Sequence, residues 1–295
     1  MKILEPISEY PKKVVLILGF FDGVHLGHRS VIEKAVSYAK KMNVSSVLIT
    51  VNPSPCEFFL GEAEYIFDRQ LSFSLMENLG VDYLLELDFK SIVSQTAEEY
   101  LNDFLVKKFE PTAIFTGFNH SFGKNKKGNP EFLKENSSKY GYESFSIEPS
   151  ILNDEVISST LIKKYLMNGE IEKANDLLGS CFGFNATVIE GQKLGRKIGF
   201  PTANALYPKG IVKVPYGVYK VRVNDNLAVL NWGVKPTVGT EYPVLEAHLL
   251  DFSSDLYGLD VRIDFIKKIR NEQKFDSFED LKSQIKKDIE ACLKL

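Results

Sequence analysis

Gly19-Phe20-Phe21-Asp22-Gly23-Val24-His25-Leu26-Gly27-His28 decides how the first half of this chain is read. Five apolar residues, Val14 to Leu18, lead into the stretch, and a long amphipathic segment leaves it. That order predicts a buried strand, a glycine-rich turn and the first turn of a helix. Amides at a helix N-terminus lack intrahelical acceptors and attract phosphate. Gly19, Gly23 and Gly27 allow a sharp turn and close approach of a ligand to the backbone. His25 and His28, three residues apart, emerge on one side of the first turn. They are two of only four histidines in the chain. Taken alone, such a pair also fits plain capping or solvation.

Working outward, strand-like and helix-like segments alternate. Residues 29–42 place Val31, Ala35, Val36, Ala39 and Met42 on one helical face. Ser46 to Val51 is a β-branched run closed by Pro53 and Pro55. A helix over 67–79 stops at Gly80, and Val81 to Leu87 forms the next strand. Thr96 and Glu99 make a capping-box pattern that opens a helix to about Phe109. Thr112 to Thr116, Pro130 to Tyr140 and Tyr142 to Ile147 read as strand, helix and strand. This alternation predicts a parallel sheet covered on both faces, with ligands at the carboxyl ends of its strands. A helical stretch over 160–178, broken at Gly169, ends at Gly179.

From Phe182 the pattern changes to short strands: 184–189, 218–223, 227–231, 244–251 and 261–266. A small all-β barrel or sandwich is expected. Ser277, with Asp280 three residues on, caps a last helix whose stripe is Phe278, Leu281, Ile285, Ile289 and Cys292. The expected division is residues 1–183 and 184–295.

The 295 residues carry 36 basic and 39 acidic side chains, a net charge of −3, which does not suggest a nucleic-acid-binding surface. Three widely spaced cysteines suggest neither a disulfide framework nor a zinc cluster. No stretch approaches the ~20 apolar residues of a membrane span, and the N-terminus does not read as a signal peptide. A cytoplasmic protein is the expectation.

Further stretches carry chemistry. Gly117-Phe118-Asn119-His120-Ser121-Phe122-Gly123 follows a strand; it reads either as a plain loop or as a holder of base or phosphate through Asn119. Ile157-Ser158-Ser159-Thr160 precedes a helix, as an N-cap or as a phosphate site. Gly191 to Asn204 is a glycine-rich loop, with Gly195 and Gly199, ending in Pro201-Thr202-Ala203-Asn204. It lacks the P-loop pattern. The Thr202 hydroxyl and Asn204 amide oxygen are hard ligands suited to Mg²⁺. Glu246 and His248 share one face of a strand. A carboxylate placed there suits a base that accepts a hydroxyl proton in phosphoryl transfer, and it equally suits an ion pair.

The opening stretch resembles the HxGH signature of nucleotidyltransferases and, as GxFDGxHxGH, the bacterial bifunctional riboflavin kinase/FMN adenylyltransferases. The 117–123 and 157–160 stretches resemble that family's GxNFxFG and ISSTxxR. Residues 191–204 are similar to its GxxLGRxxGFPTAN. Asp255-Leu256-Tyr257-Gly258, the run Ile269 to Phe275 and Val234-Lys235-Pro236-Thr237 resemble DLYG, LRxExKF and GxRPT. The resemblance covers residues 14 to 290 in the family's order. It implies an α/β nucleotidyltransferase domain with a Rossmann-like parallel sheet, then a small antiparallel β-barrel riboflavin kinase domain with a C-terminal helix. It implies that riboflavin is phosphorylated to FMN, and FMN adenylylated to FAD, with ATP and Mg²⁺. His25 and His28 would meet ATP phosphates. Gly19, Phe21, Asp22, Gly23, Gly27, Asn119, Ser158, Ser159 and Thr160 would hold nucleotide and FMN. Gly195, Gly199 and Arg270 would serve the kinase half, with Thr202 and Asn204 on the metal and Glu246 as base.

Three positions depart from the pattern: Ser54 for a histidine, His120 for an aromatic residue and Lys163 for an arginine. They leave open a kinase-only relative as an alternative, and a non-catalytic flavin- or nucleotide-binding regulator as another.

Overall fold

The computed structural model describes residues 1–5, 9–191, 199–234, 243–252, 254 and 256–294. By packing, the chain forms two compact units: Met1–Glu64 with Arg69–Ser159, and Tyr65–Asp68 with Thr160–Leu295.

The first unit holds β1 (Lys2–Leu4), β2 (Val15–Leu18), β3 (Ser46–Asn52), β4 (Tyr83–Asp88), β5 (Ala113–Gly117) and β6 (Glu143–Ile147). They form one sheet, all pairs parallel, in the order β1-β4-β3-β2-β5-β6. Because successive residues of a strand face opposite ways, β2 feeds two cores. Val15 and Ile17 pack with Val31, Ile32, Ala35 and Val36 of the Leu26–Met42 helix. Leu16 and Leu18 pack with Leu101, Leu105, Phe109 and Leu133 on the other face. Met42, expected on the buried face, is exposed and ends the helix.

The capping box at Thr96 and Glu99 forms with both reciprocal hydrogen bonds. The helix it opens does not continue as a uniform α-helix: Tyr100–Val106 winds as a π-helix before a last α-turn at Lys107–Phe109. Periodicity alone did not reveal this, because the buried residues Tyr100, Leu101 and Leu105 fit either winding. A hairpin of β7 (Ile151–Leu152) and β8 (Glu155–Val156) was also unanticipated. Its turn residues Asn153 and Asp154 have φ of 51° and 64°, the geometry that Asn and Asp tolerate best.

The second unit begins with the helices Ser159–Asn168 and Ile171–Leu178, parted at Gly169 (φ 77°) and closed by Gly179 (φ 66°). Then come β9 (Phe182–Ile189), β10 (Ala203–Ala205), β11 (Gly217–Val223), β12 (Asn226–Val234), β13 (Pro243–Leu249) and β14 (Asp260–Asn271). They close into an antiparallel barrel in the order β10-β13-β12-β11-β14-β9. Phe182, Phe184, Tyr219, Leu230, Trp232 and Phe265 fill it. Trp232 is core, with its indole Nε1 donating to the Val214 carbonyl at 3.1 Å. Asn175 ties the second helix to the barrel: its amide donates to the Phe265 carbonyl at 2.9 Å and its oxygen accepts from the Phe182 amide at 2.7 Å.

The closing helix, Phe278–Lys294, buries Cys292 against Val218 and Val229, with Ile289 beside them. Its expected stripe is cut short, because Phe278 is exposed. Asp288, off that stripe, is buried and takes Arg270 in a two-pronged ion pair at 2.9 and 2.8 Å. Among the described residues, no helix is long and apolar enough to cross a membrane.

Candidate active sites

The first site grows from the strand order. Chain progression turns back between β2 and β5, so their carboxyl ends flank the crevice where parallel sheets bind ligands. Leu18 is in register with Thr116, which starts the Gly19 and Gly117 stretches side by side. Gly19 has no room for a side chain: a Cβ there would lie 2.7 Å from the Phe21 ring. Gly23 has φ of 83°, and Val24 follows at 40°, so the turn is tight enough to strain a β-branched residue.

The turn ends at His25, which caps the helix. Its Nδ1 accepts the His28 amide at 3.2 Å, and its ring stacks on the His28 ring at 3.6 Å. Burial lowers the His25 pKa to about 4, with a further push from the Arg29 charge. His28 is held well below its ordinary value by burial and by His25. Both rings are therefore neutral at pH 7. Since His25 Nδ1 accepts a hydrogen bond, its own proton sits on Nε2. His28 Nδ1 is buried with no hydrogen-bond partner among the described residues.

Ser159 reaches the same turn, with its hydroxyl donating to the Asp22 carbonyl at 2.9 Å. Ser158 precedes the helix that Ser159 and Thr160 begin. Asn119 is exposed, with its Oδ1 beside Gly117. Of the three departures, Ser54 caps the Pro55–Leu60 helix by accepting the Glu57 amide at 3.0 Å. His120 lies against Phe122, where burial drops its pKa to about 4, so it occupies the aromatic position as a neutral ring. Lys163 lies on the Ser159–Asn168 helix. Sequence reading passed over Phe58, Phe59 and Phe89, three mutually edge-on rings just past β3 and β4, of which Phe59 is 67% exposed. The signal was present, as Phe58-Phe59 follows the proline-rich end of a strand.

The second site is assembled across strands. Asn204, read as part of a loop, lies in β10, directly opposite Glu246 of β13. On its other side Glu246 pairs with Asn231 of β12. Since Leu230, Trp232, Leu245 and Ala247 turn inward, this row faces out of the barrel. Asn204 is buried, and its carboxamide packs on Gly191, where a Cβ would meet its Nδ2 at 2.3 Å. Thr202 is partly exposed, and Gly199 (φ 89°) is exposed. Gly195 and the rest of 192–198, Lys235 to Thr237, and Asp255 lie outside the described residues. His248 bonds through Nδ1 to the Pro201 carbonyl at 2.8 Å, anchoring the loop's end to β13. Gly233 was missed: the Glu272 carboxylate lies so close to it that a Cβ there would stand 2.0 Å from Oε1. Arg270, expected on flavin or phosphate, places Nε and Nη2 on Asp288 and donates Nη1 to the Asn271 carbonyl at 3.0 Å.

Residues 7–161 match the family model for FAD synthetase, and residues 178–295 match that for riboflavin kinase. The chain is 35% identical over 286 residues to a bifunctional riboflavin kinase/FMN adenylyltransferase of Haemophilus influenzae, covering 94% of this chain and 92% of that protein. It is 34% identical over 300 residues to the Escherichia coli K12 protein so described, covering 98% and 96%. A solved structure described as a macrolide-efflux protein from Streptococcus pneumoniae matches with a TM-score of 0.88 at 30% identity, over 97% of this chain and 95% of that one. With both family models in order and relatives matched end to end, the chain belongs to the bifunctional riboflavin kinase/FMN adenylyltransferase family.

Proposed function

We propose that this chain makes FMN from riboflavin and FAD from FMN, each with ATP, at two separate sites. The adenylyltransferase half is taken as residues 1–183 and the kinase half as 184–295. Two observations support the reading, one in each half: the outward row Asn204–Glu246–Asn231, and the paired neutral histidines His25 and His28.

In the first half, an FMN phosphate oxygen attacks the α-phosphorus of ATP, and pyrophosphate leaves. That nucleophile is already anionic, so catalysis is positioning and charge stabilisation rather than proton removal. His25 donates its Nε2–H toward the phosphates, with His28 beside it. The Gly23 turn and the helix starts after His25 and at Ser159 add to the anion site, and Gly19, Phe21, Asp22, Gly27, Asn119, Ser158 and Thr160 shape it. The exposed Phe58 and Phe59 rings, with the partly buried Phe89 edge-on to both, offer an apolar aromatic platform suited to a planar ring system.

In the second half, a ribityl hydroxyl attacks the γ-phosphorus of ATP while the Glu246 carboxylate accepts its proton, and ADP leaves. Gly195, Gly199 and Arg270 complete the binding residues of that half. Thr202 and Asn204 fit Mg²⁺: both are neutral oxygen donors two residues apart, and Asn204 is held fast against Gly191. When bound, Mg²⁺ would neutralise developing phosphate charge.

The test is purified protein with ATP, Mg²⁺ and either riboflavin or FMN, with flavins separated by chromatography. Both conversions are expected. FMN accumulating with no FAD from either substrate would leave only the kinase half standing, and no conversion of either would overturn the reading.

A further inference from the structure

We propose that Tyr65–Asp68 is a positioning strap for the kinase half, holding the β10–β11 connection and, through it, Thr202 and Asn204. The proposal rests on reading those two residues as the metal pair of that half. In sequence the strap lies far upstream, between the Pro55–Leu60 and Arg69–Asn78 helices of the first unit. By packing it belongs to the barrel unit. Ile66 is fully buried and Phe67 is 3% exposed, while Gly61, Glu62, Glu64 and Arg69 on either side are exposed. Neither Ile66 nor Phe67 belongs to the two cores on the faces of the parallel sheet. Phe67 instead lies under the Arg262 guanidinium of β14, 6.0 Å from its ring centre. Arg262 is itself held by Asp264, to which its Nε donates at 2.8 Å.

The strap is bound through its main chain as well. The Tyr65 amide donates to the Gly210 carbonyl at 2.7 Å, and the Tyr65 carbonyl accepts the Val212 amide at 2.9 Å. Together they make a parallel bridge centred on Ile211. Val212 is buried and is held from its other side too, its carbonyl accepting the Tyr207 hydroxyl at 2.7 Å. Tyr207 stands three residues past Asn204, with its ring against Phe184 and Trp232 at 4.6 and 4.9 Å between centroids. A continuous set of contacts thus runs from Tyr65 through Val212 and Tyr207 to the end of β10. Mg²⁺ demands near-ideal octahedral geometry, so a small displacement of β10 weakens its hold on the metal.

The experiment uses the full chain as Phe67→Ala, Phe67→Leu and Tyr65→Pro. It reads amide hydrogen exchange over residues 207–216, the Mg²⁺ concentration that half-saturates FMN formation, and FAD formation from supplied FMN. Phe67→Ala removes the ring, and exchange over 207–216 is expected to quicken about tenfold. The Mg²⁺ requirement should rise about three- to tenfold, with exchange over 14–18 and FAD formation within about twofold of wild type. Tyr65→Pro deletes the donor to Gly210 and should act in the same way. Phe67→Leu keeps an apolar side chain and is expected to recover most of both readouts. A strap that only adds stability would quicken exchange and leave the Mg²⁺ requirement of the folded enzyme alone. A wild-type Mg²⁺ requirement in either Phe67→Ala or Tyr65→Pro therefore overturns the proposal. So does unchanged exchange over 207–216, or a loss that falls on FAD formation instead. If the unaltered chain makes no FMN, the kinase reading itself fails, and the exchange measurement still decides whether the strap holds the connection.

Discussion

The two units solve the same problem, holding a nucleotide phosphate, with opposite constructions. In the parallel sheet the site is contiguous: strand, turn and helix start follow one another from Val15 to His28, with Ser159 bonding back to the Asp22 carbonyl. In the barrel the row proposed for the kinase site is drawn from three strands, and only their register brings Asn204, Glu246 and Asn231 together. A contiguous site depends on backbone conformation and a cross-strand site on pairing, so the two break in different ways.

The sharpest way to break the comparison is chemical. Glu246→Gln is expected to lower FMN formation by about 10²–10⁴-fold, the usual weight of a general base, while FAD formation from FMN continues. Product chromatography checks it, and a parallel loss of both activities would mean that the two sites do not act separately. The mirror experiment is His28→Ala. It is expected to cost about 10²–10³-fold in FAD formation, as for removal of one preorganised donor, with FMN formation intact.

Acid separates the units next. His25 and His120, both in the parallel-sheet unit, have folded pKa values near 4, below the ordinary 6.5. Between those limits the unfolded chain binds protons that the folded unit refuses, so stability falls as pH drops from 6.5 toward 4. The loss is on the order of 3 kcal/mol per histidine when the window has been crossed. Thermal melts at pH 7 and pH 5 should show it, and His120→Phe should flatten the slope; an unchanged slope would show that His120 does not contribute. The smallest effect is expected at Gly191→Ala. The new methyl displaces the Asn204 amide, and FMN formation should fall about tenfold, with a raised Mg²⁺ requirement in a metal titration. An unaltered requirement would separate Asn204 from the metal.

The same contrast governs what could be read from the chain alone. The Gly19–His28 turn was legible because its glycines, histidines and flanking periodicity lie within one window; the structure adds the stacking of the two rings and the His25 cap on the His28 amide. Ser159 was legible as a helix start, but its bond to the Asp22 carbonyl was not, since it spans the unit. In the barrel, Glu246 and Asn204 drew attention through motifs, whereas Asn231 passed as an ordinary strand residue because register is a long-range property. Three residues of β10 are too few to carry a period, so the strand was taken for loop. Arg270 drew attention through its motif, but its partner Asp288, eighteen residues further on and buried off the expected stripe, did not.

Closure of the barrel has a last consequence, for how each unit behaves when crowded with copies of itself. An open sheet ends in strands with unpaired amides and carbonyls that can recruit another chain. The parallel sheet ends in β1 and β6. β1 is only three residues long, and β6 carries the exposed Glu143 and Ser146, both features that discourage such recruitment. The six described barrel strands close on one another and leave no terminal strand among them, so their protection against edge-to-edge aggregation is topological and survives any change of surface sequence that leaves them paired.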